Sequence, residues 1–305
     1  MEAIDSIRIN FNQDQLFLLN ICLGFLMFGV ALDLKFDAFK TILKYPKASF
    51  VGLTSQWILL PIVTLILILV FQPPTSMALG MILVASCPGG NVSNYAVHLA
   101  GANSALSILL TSITTLGAVI LTPLYFTYLA PFIPGAASFE SSIQLNATEM
   151  VITIIQLIVF PLALGMFLNE RFPKLCKVIQ QPVKTLSMII FLGFVVVAIY
   201  SNFDNIVNYL HLVFLLVLIH NGLALLTGYW FARLNHLQEN DARAVSIETG
   251  IQNSGLGLIL IFNFFNGIGG MALIAAWWGI WHLIAAFGLA MLWGRAKTKP
   301  QISDN

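Results

Sequence analysis

Apolar runs of about twenty residues recur along almost the whole chain, and they leave very few folds open. A run of that length crosses the ~30 Å hydrocarbon core of a bilayer as a helix. Nine can be read, at roughly 15–34, 48–71, 77–100, 104–130, 148–168, 183–201, 205–232, 241–266 and 271–294. In hydrocarbon every backbone N–H and C=O must find its partner within the protein, so such spans are helical. Of the 305 residues 58% are hydrophobic and 9% charged, against about 25% charged in a soluble domain. The expectation is an all-α integral membrane protein, residues 1–305 forming a single transmembrane domain in a lipid bilayer. A formal net charge of +1 offers nothing to a nucleic acid. The first fourteen residues are polar and mixed in charge, so no cleavable signal peptide is expected.

The basic residues orient the chain. Lys35, Lys40, Lys44 and Lys47 flank the first connection, and Arg171, Lys174, Lys177 and Lys184 the fifth. Arg233 and Arg243 bracket the seventh, and Arg295, Lys297 and Lys299 form the tail. The positive-inside rule then puts the N-terminus outside and the C-terminus in the cytoplasm. Arg8 is the one basic residue left outside. A bacterial inner membrane is the expected location.

Two spans are interrupted. SCPGGNVSN, Ser86 to Asn94, sits in the third span, and SIETGIQNSGLGLIL, Ser246 to Leu260, in the eighth. Pro and Gly break helices, and both interruptions carry polar side chains. The first lies third in a group of four spans and the second fourth in a group of five. If the first group lacks a leading helix, the two occupy equivalent places in a five-helix repeat. An odd repeat must be inverted in the membrane, giving inverted repeats of four plus five helices. Paired, interrupted, polar segments mark the midplane binding site of a transporter, because freed helix ends attract ions. A plain Pro88 kink with tight glycine packing explains either segment alone less well than a site explains both.

Glu248 is the most informative residue. A charge at mid-membrane is costly and marks a functional site by default; the bland alternative is a protonated Glu248 hydrogen-bonded inside the bundle. The oxygens and amides available to it belong to Gln56, Ser93, Asn94, Ser107, Thr111 and Gln252. One carboxylate among neutral oxygens suits a hard cation. Cys22, Cys87 and Cys176 show no metal spacing, and Cys87 reads as a small buried filler. His98, His220 and His282 share no spacing, and His220-Asn221 reads as an interhelical hydrogen bonder. Asp33 and Lys35 read as boundary anchors, and Asn146-Ala147-Thr148 fits a glycosylation acceptor. No nucleophile–base arrangement or metal constellation supports an enzyme, and no cofactor is expected.

The motifs resemble those of the bile acid:sodium symporter family. SCPGGNVSN looks like its CPGG-x-x-SN crossover segment, and ETGIQNSGL like its E-x-G-x-Q-NSG segment. ALSILLTSITTLGAVILTP resembles its ALS-x-x-x-T helix, and SQWILLP its Q-x-x-x-x-P helix. Members have ten helices, or nine when the first is missing, and this chain is similar to the nine-helix form. The resemblance implies a core domain with two crossed discontinuous helices (approximately 48–130 and 205–294) and a panel domain (approximately 15–34 and 148–201). It implies two Na+ as coupling ions. One would be held by Ser93, Asn94, Ser107, Thr111 and Glu248. The other would use Gln56, Glu248 and Gln252 with backbone carbonyls of Thr249 and Ile251. Asn91, Asn253 and His282 would face the substrate. The chain departs from the common pattern at Ser86-Cys87, Asn91 and Trp281-His282-Leu283, which leaves the ion residues intact and the substrate open.

Two sodium ions around one ionised carboxylate leave about one positive charge, which an anionic substrate would neutralise. The expected function is therefore sodium-coupled symport of an organic anion, such as a bile acid or a small carboxylate like pantoate. The core would move against the panel to alternate access. The alternatives are a proton-coupled organic anion transporter, with Glu248 as proton carrier, and a metalloid exporter of related fold that leans on Cys87. No oligomeric state follows from the sequence.

Overall fold

The computed structural model describes residues 3–9, 13–32, 46–90, 92–136, 147–201 and 207–296. Among the described residues the chain is almost entirely helical, with no strand beyond two isolated bridges. Helix α1 is Gln13–Ala31, and α2 runs over Pro46–Phe71. Then come α3 (Thr75–Ser86), α4 (Val92–Leu99) and α5 (Ser104–Leu129). α6 covers 147–171 and α7 is Pro173–Ser201. The C-terminal part holds α8 (Leu210–Leu234), α9 (Glu239–Gly250), α10 (Ser254–Phe264) and α11 (Gly269–Ala296).

Among the described residues five stretches are long and apolar enough to cross a membrane on their own: Pro46–Phe71, Ser104–Phe132, Val151–Arg171, Leu210–Leu234 and Gly269–Gly294. The third and eighth apolar stretches of the sequence are instead each two short helices, α3 with α4 and α9 with α10. At 1.5 Å per residue these halves reach only partway through a bilayer. The helix expected over 183–201 starts earlier, at Pro173, because a proline is tolerated in a first turn; Pro182 lies inside it. Asp33, Lys35 and Asn146 lie outside the described residues.

Proline also shapes α2 and α6. Pro61 and Pro161 have no N–H to return to the preceding turn, and each helix widens just before its proline into a π turn. These are Ser55–Leu59, closed by Leu60 N–H to Ser55 O, and Ile155–Val159, closed by Phe160 N–H to Ile155 O. The widened turn in α2 carries Gln56, which is buried; its counterpart in α6 carries Gln156, which is exposed.

The main core gathers α3, α10 and α11 around Trp278, Phe126 and Phe265, the last two rings meeting edge to face at 4.8 Å. α1 packs against α6 and α7, with Ala31, Leu162 and Met166 buried together. At one end of α8, α9 and α11, Glu239 takes Arg243 Nε at 2.8 Å and Tyr229 OH at 3.0 Å. Arg243 also stacks over Trp293 at 5.4 Å.

Residues 3–9, where no element is expected, dock on the core. Ile9 N–H donates to Gly267 O at 2.8 Å and Gly269 N–H to Ile7 O at 2.9 Å. Asp5 accepts from Ser76 N–H at 2.9 Å, capping the first turn of α3. Ile4 is fully buried.

α3 and α11 approach so closely that a Cβ on Gly80 would lie 2.8 Å from Met271 Cα. Gly80→Val is expected to lower the unfolding free energy by about 1–3 kcal/mol, measured as a lower Tm of the detergent-purified protein.

Candidate functional site

The two interruptions meet. Cys87 leaves α3 in extended conformation (φ −71°, ψ 158°), and Ile251 leaves α9 likewise (φ −104°, ψ 112°). Gly89 and Gln252 then pair as an antiparallel bridge. Gly90 N–H donates to Ile251 O at 3.0 Å, and Asn253 N–H donates to Pro88 O at 2.8 Å. Side chains of intact helices take three further groups: Thr114 Oγ1 accepts from Gly89 N–H at 3.2 Å, Thr122 Oγ1 donates to Ser86 O at 2.7 Å, and Asn221 Nδ2 donates to Gly250 O at 2.7 Å. Freed backbone is tolerated inside a membrane only when buried in protein or lining a cavity, and these bonds pair the groups named. Asn253 Oδ1 also caps α10 by accepting from Leu256 N–H at 3.0 Å.

Glu248, one turn before the break in α9, reaches back toward α4 and α5 and is 1% exposed. Ser93 Oγ donates to its Oε1 at 2.5 Å, and Ser107 Oγ donates to the same oxygen. Thr111 Oγ1 lies 3.1 Å from Oε1 and 2.9 Å from Oε2. Asn94 closes the group, its Oδ1 taking Ser107 Oγ at 2.8 Å and Thr111 Oγ1 at 3.3 Å. Ser107 and Thr111 are one turn apart on α5, and Ser93 and Asn94 are adjacent in the first turn of α4. Two chain segments thus gather their oxygens around the carboxylate of a third.

The cluster has more oxygen–oxygen approaches than protons to bridge them. Ser93, Ser107 and Thr111 bring three hydroxyl protons. Against these stand both carboxylate oxygens, Asn94 Oδ1, the Ser107 carbonyl and the Ser93–Thr111 pair at 3.3 Å. Oxygens that face one another without a proton repel, and a small hard cation among them relieves that repulsion. A carboxylate with neutral hydroxyl and amide oxygens is the donor set such a cation takes. Among the described residues no group of three His, Cys, Asp or Glu assembles for a softer metal.

A second polar group lies across Gly89. A Cβ there would sit 3.0 Å from Glu248 Oε2 and 3.2 Å from Gln56 Nε2, so glycine lets the chain pass between them. Gln56 Nε2 reaches Gln252 Oε1 at 3.4 Å, and Gln252 Nε2 donates to Thr249 O at 2.9 Å. Ser55 and Thr249 share a 2.9 Å hydroxyl contact. The structure therefore brings together Gln56, Ser93, Asn94, Ser107, Thr111, Glu248, Thr249, Ile251 and Gln252. Asn91 lies outside the described residues. Asn253 is half-buried with Met27 Sδ 4.0 Å from its Nδ2. His282 is buried, and its Nδ1 has no hydrogen-bond partner among the described residues. His220 pairs across helices as its position suggests, with Nε2 2.6 Å from Thr64 Oγ1. Cys87 is a free, buried thiol in the main core.

Sequence reasoning missed Thr114, Thr122 and Ser55, and Asn221 beyond its being a bonder. Thr114 stood one turn beyond Thr111 on the same helix, which was a usable signal. Thr122 and Ser55 carried none, because they serve backbone and side-chain groups far away in the sequence.

The chain matches the Sodium Bile acid symporter family over residues 20–209. It is 32% identical over 283 residues to the uncharacterized sodium-dependent transporter YocS of Bacillus subtilis (strain 168), covering 93% of this chain and 85% of that one. It is 32% identical over 281 residues to the probable sodium/metabolite cotransporter BASS1, chloroplastic, of Arabidopsis thaliana, covering 91% and 67%. To the BASS2 counterpart of Oryza sativa subsp. japonica it is 28% identical over 256 residues, covering 82% and 57%. These relatives carry the names of transporters, not of enzymes.

Replacing Asn221 with Leu strips Gly250 O of its side-chain partner. The expected cost is about 1–3 kcal/mol of stability, read as a lower Tm, whereas Gly222→Ala, at a position with open space around it, leaves the Tm within about one degree or raises it.

Proposed function

The chain belongs to the Sodium Bile acid symporter family, and from that membership and the cluster at Glu248 we infer that it is a sodium-coupled symporter of an organic anion. The observation that carries the reading is the convergence of Ser93, Asn94, Ser107 and Thr111 on one buried carboxylate where two broken helices meet. One sodium ion is held by Ser93, Asn94, Ser107, Thr111 and Glu248. A second is held by Gln56, Glu248 and Gln252 with the carbonyls of Thr249 and Ile251. Because both sets share Glu248 and include residues at the two breaks, ion binding stiffens both breaks together.

With two sodium ions on one carboxylate, an anion beside the breaks balances the charge. Asn91, Asn253 and His282 are the residues assigned to it, and the class spans bile acids and small carboxylates such as pantoate. Ion and anion then raise each other's affinity reciprocally.

The helices divide into a core (approximately 48–130 and 205–294) and a panel (approximately 15–34 and 148–201) that slide past one another to alternate access. The packing of α1 on α6 and α7 supports the panel. An inverted repeat of four plus five helices is supported by a recurring order: half-helix, break, half-helix, turn, long helix. It appears as α3–α4–α5 and again as α9–α10–α11, and each turn holds a glycine of positive φ, Gly101 at 61° and Gly267 at 60°. The antiparallel pairing at the breaks fits opposite directions. Nine spans put the N-terminus outside and the C-terminus in the cytoplasm of a bacterial plasma membrane.

Sodium chloride is expected to raise the Tm of the detergent-purified protein, relative to potassium or choline chloride, and Glu248→Ala to lose that rise. At about ten times its dissociation constant a ligand adds roughly 1.4 kcal/mol. Indistinguishable melting in all three salts would remove sodium from the mechanism and bring proton coupling at Glu248 forward. Cys87→Ala is expected to keep sodium-driven uptake in proteoliposomes; loss of uptake would favour the metalloid reading.

A further inference from the structure

Glu248 and the hydroxyls that serve it stand on different helices, so something must set their register. Asn103, the residue before α5, makes three bonds that do so. Its Oδ1 accepts from Leu106 N–H at 3.1 Å, capping α5. Its backbone N–H donates to Asn240 O at 3.2 Å, and its Nδ2 donates to Asp241 Oδ1 at 2.7 Å. The last two tie the start of α5 to the first turn of α9.

The spacing connects this tie to the carboxylate. On α5, Asn103, Ser107 and Thr111 follow at intervals of four, and so lie on one face. On α9, Asp241 and Glu248 are seven residues apart, two turns along one face. Asn103–Asp241 and Ser107–Glu248 are therefore two rungs of one ladder between α5 and α9. The turn that carries α4 into α5 ends at Asn103, with Ala102 N–H donating to Val97 O at 3.0 Å, so the rung also holds α4 with Ser93 and Asn94. Further along, α9 is held against α8 by Ser246 Oγ to Leu225 O and by Asn221 Nδ2 to Gly250 O, both 2.7 Å, so the Asn103 rung is what fixes α9 against α5 in particular.

We propose that the Asn103–Asp241 pair positions the Glu248 cluster, setting the affinity of the first sodium site without touching the ion. The inference rests on the reading of that cluster as a sodium site. Charge alone does not explain the pair: Asp241 would still carry its charge if Asn103 lost the amide.

The test is a sodium chloride titration of the full chain in detergent, at constant ionic strength with potassium, read by Tm. Asn103→Ser keeps a good cap but cannot reach Asp241, and Asp241→Ala removes the acceptor. Both are expected to raise the sodium midpoint by up to about five- to tenfold, the most that one net hydrogen bond supplies, beyond whatever fall in Tm they cause in potassium alone. The exchange Asn103→Asp with Asp241→Asn keeps both the cap and the bond, and restores the midpoint. Should Asn103→Ser not fold, Asn103→Asp alone, which sets two carboxylates against each other, is read in its place. An unchanged midpoint in the Asn103 variant, or a shift in Asp241→Ala alone, overturns the inference and leaves a helix cap or a charge effect. A wild-type protein with no sodium response overturns the underlying reading and this inference with it.

Discussion

A backbone that leaves its helix inside an apolar bundle must find new partners for its N–H and C=O groups, and in this protein the two breaks find them largely in each other. Gly90 N–H to Ile251 O and Asn253 N–H to Pro88 O are main-chain bonds between segments about 160 residues apart. Each break would be costly by itself, since water is not there to satisfy it. Brought together they cost much less, and the rest of the molecule is arranged so that they meet. Thr114, Thr122 and Asn221 take three of the groups that the pairing leaves over, and Gly89 supplies the space for it.

That meeting also makes the chemistry. Glu248 lies one turn before a break, so its carboxylate stands beside unwound chain and not along a sealed helix face. The first turns of α4 and α5 open on the same spot, and their hydroxyls crowd its oxygens. A cation bound there touches parts of the structure that are coupled through the breaks. On the proposed reading, ion occupancy and backbone order are one equilibrium, which is what a coupled transporter requires.

Much of this was legible in the chain. SCPGGNVSN and ETGIQNSGL each join a helix breaker to polar side chains inside an apolar run, and that conflict with the bilayer has few resolutions. Glu248 could be named because hydrocarbon makes a carboxylate expensive, and its oxygen-bearing partners could be grouped around it because the motifs that hold them resemble those of the family. Residues such as Thr122, Ser55 and Asp241 could not, since an isolated threonine, serine or boundary aspartate carries no such penalty. The docking of residues 3–9 was equally hidden: Ile4, Ile7 and Ile9 are too few to form a pattern, and only the N-terminal ends of α3 and α11 give them a surface.

Gln56 and Gln156 draw the division most sharply. Each stands five residues before a proline, and in each case the missing N–H widens the helix into a π turn. Local covalent chemistry decided that much, as apolar length decided the helices and proline and glycine decided where two of them stop. Yet Gln56 is buried beside Glu248 and Gln252 while Gln156 is exposed. Only the tertiary structure decides which glutamine joins the polar group around Gly89 and Gln252, because that depends on helices brought together from distant parts of the chain, and no local rule of backbone or side chain reaches so far.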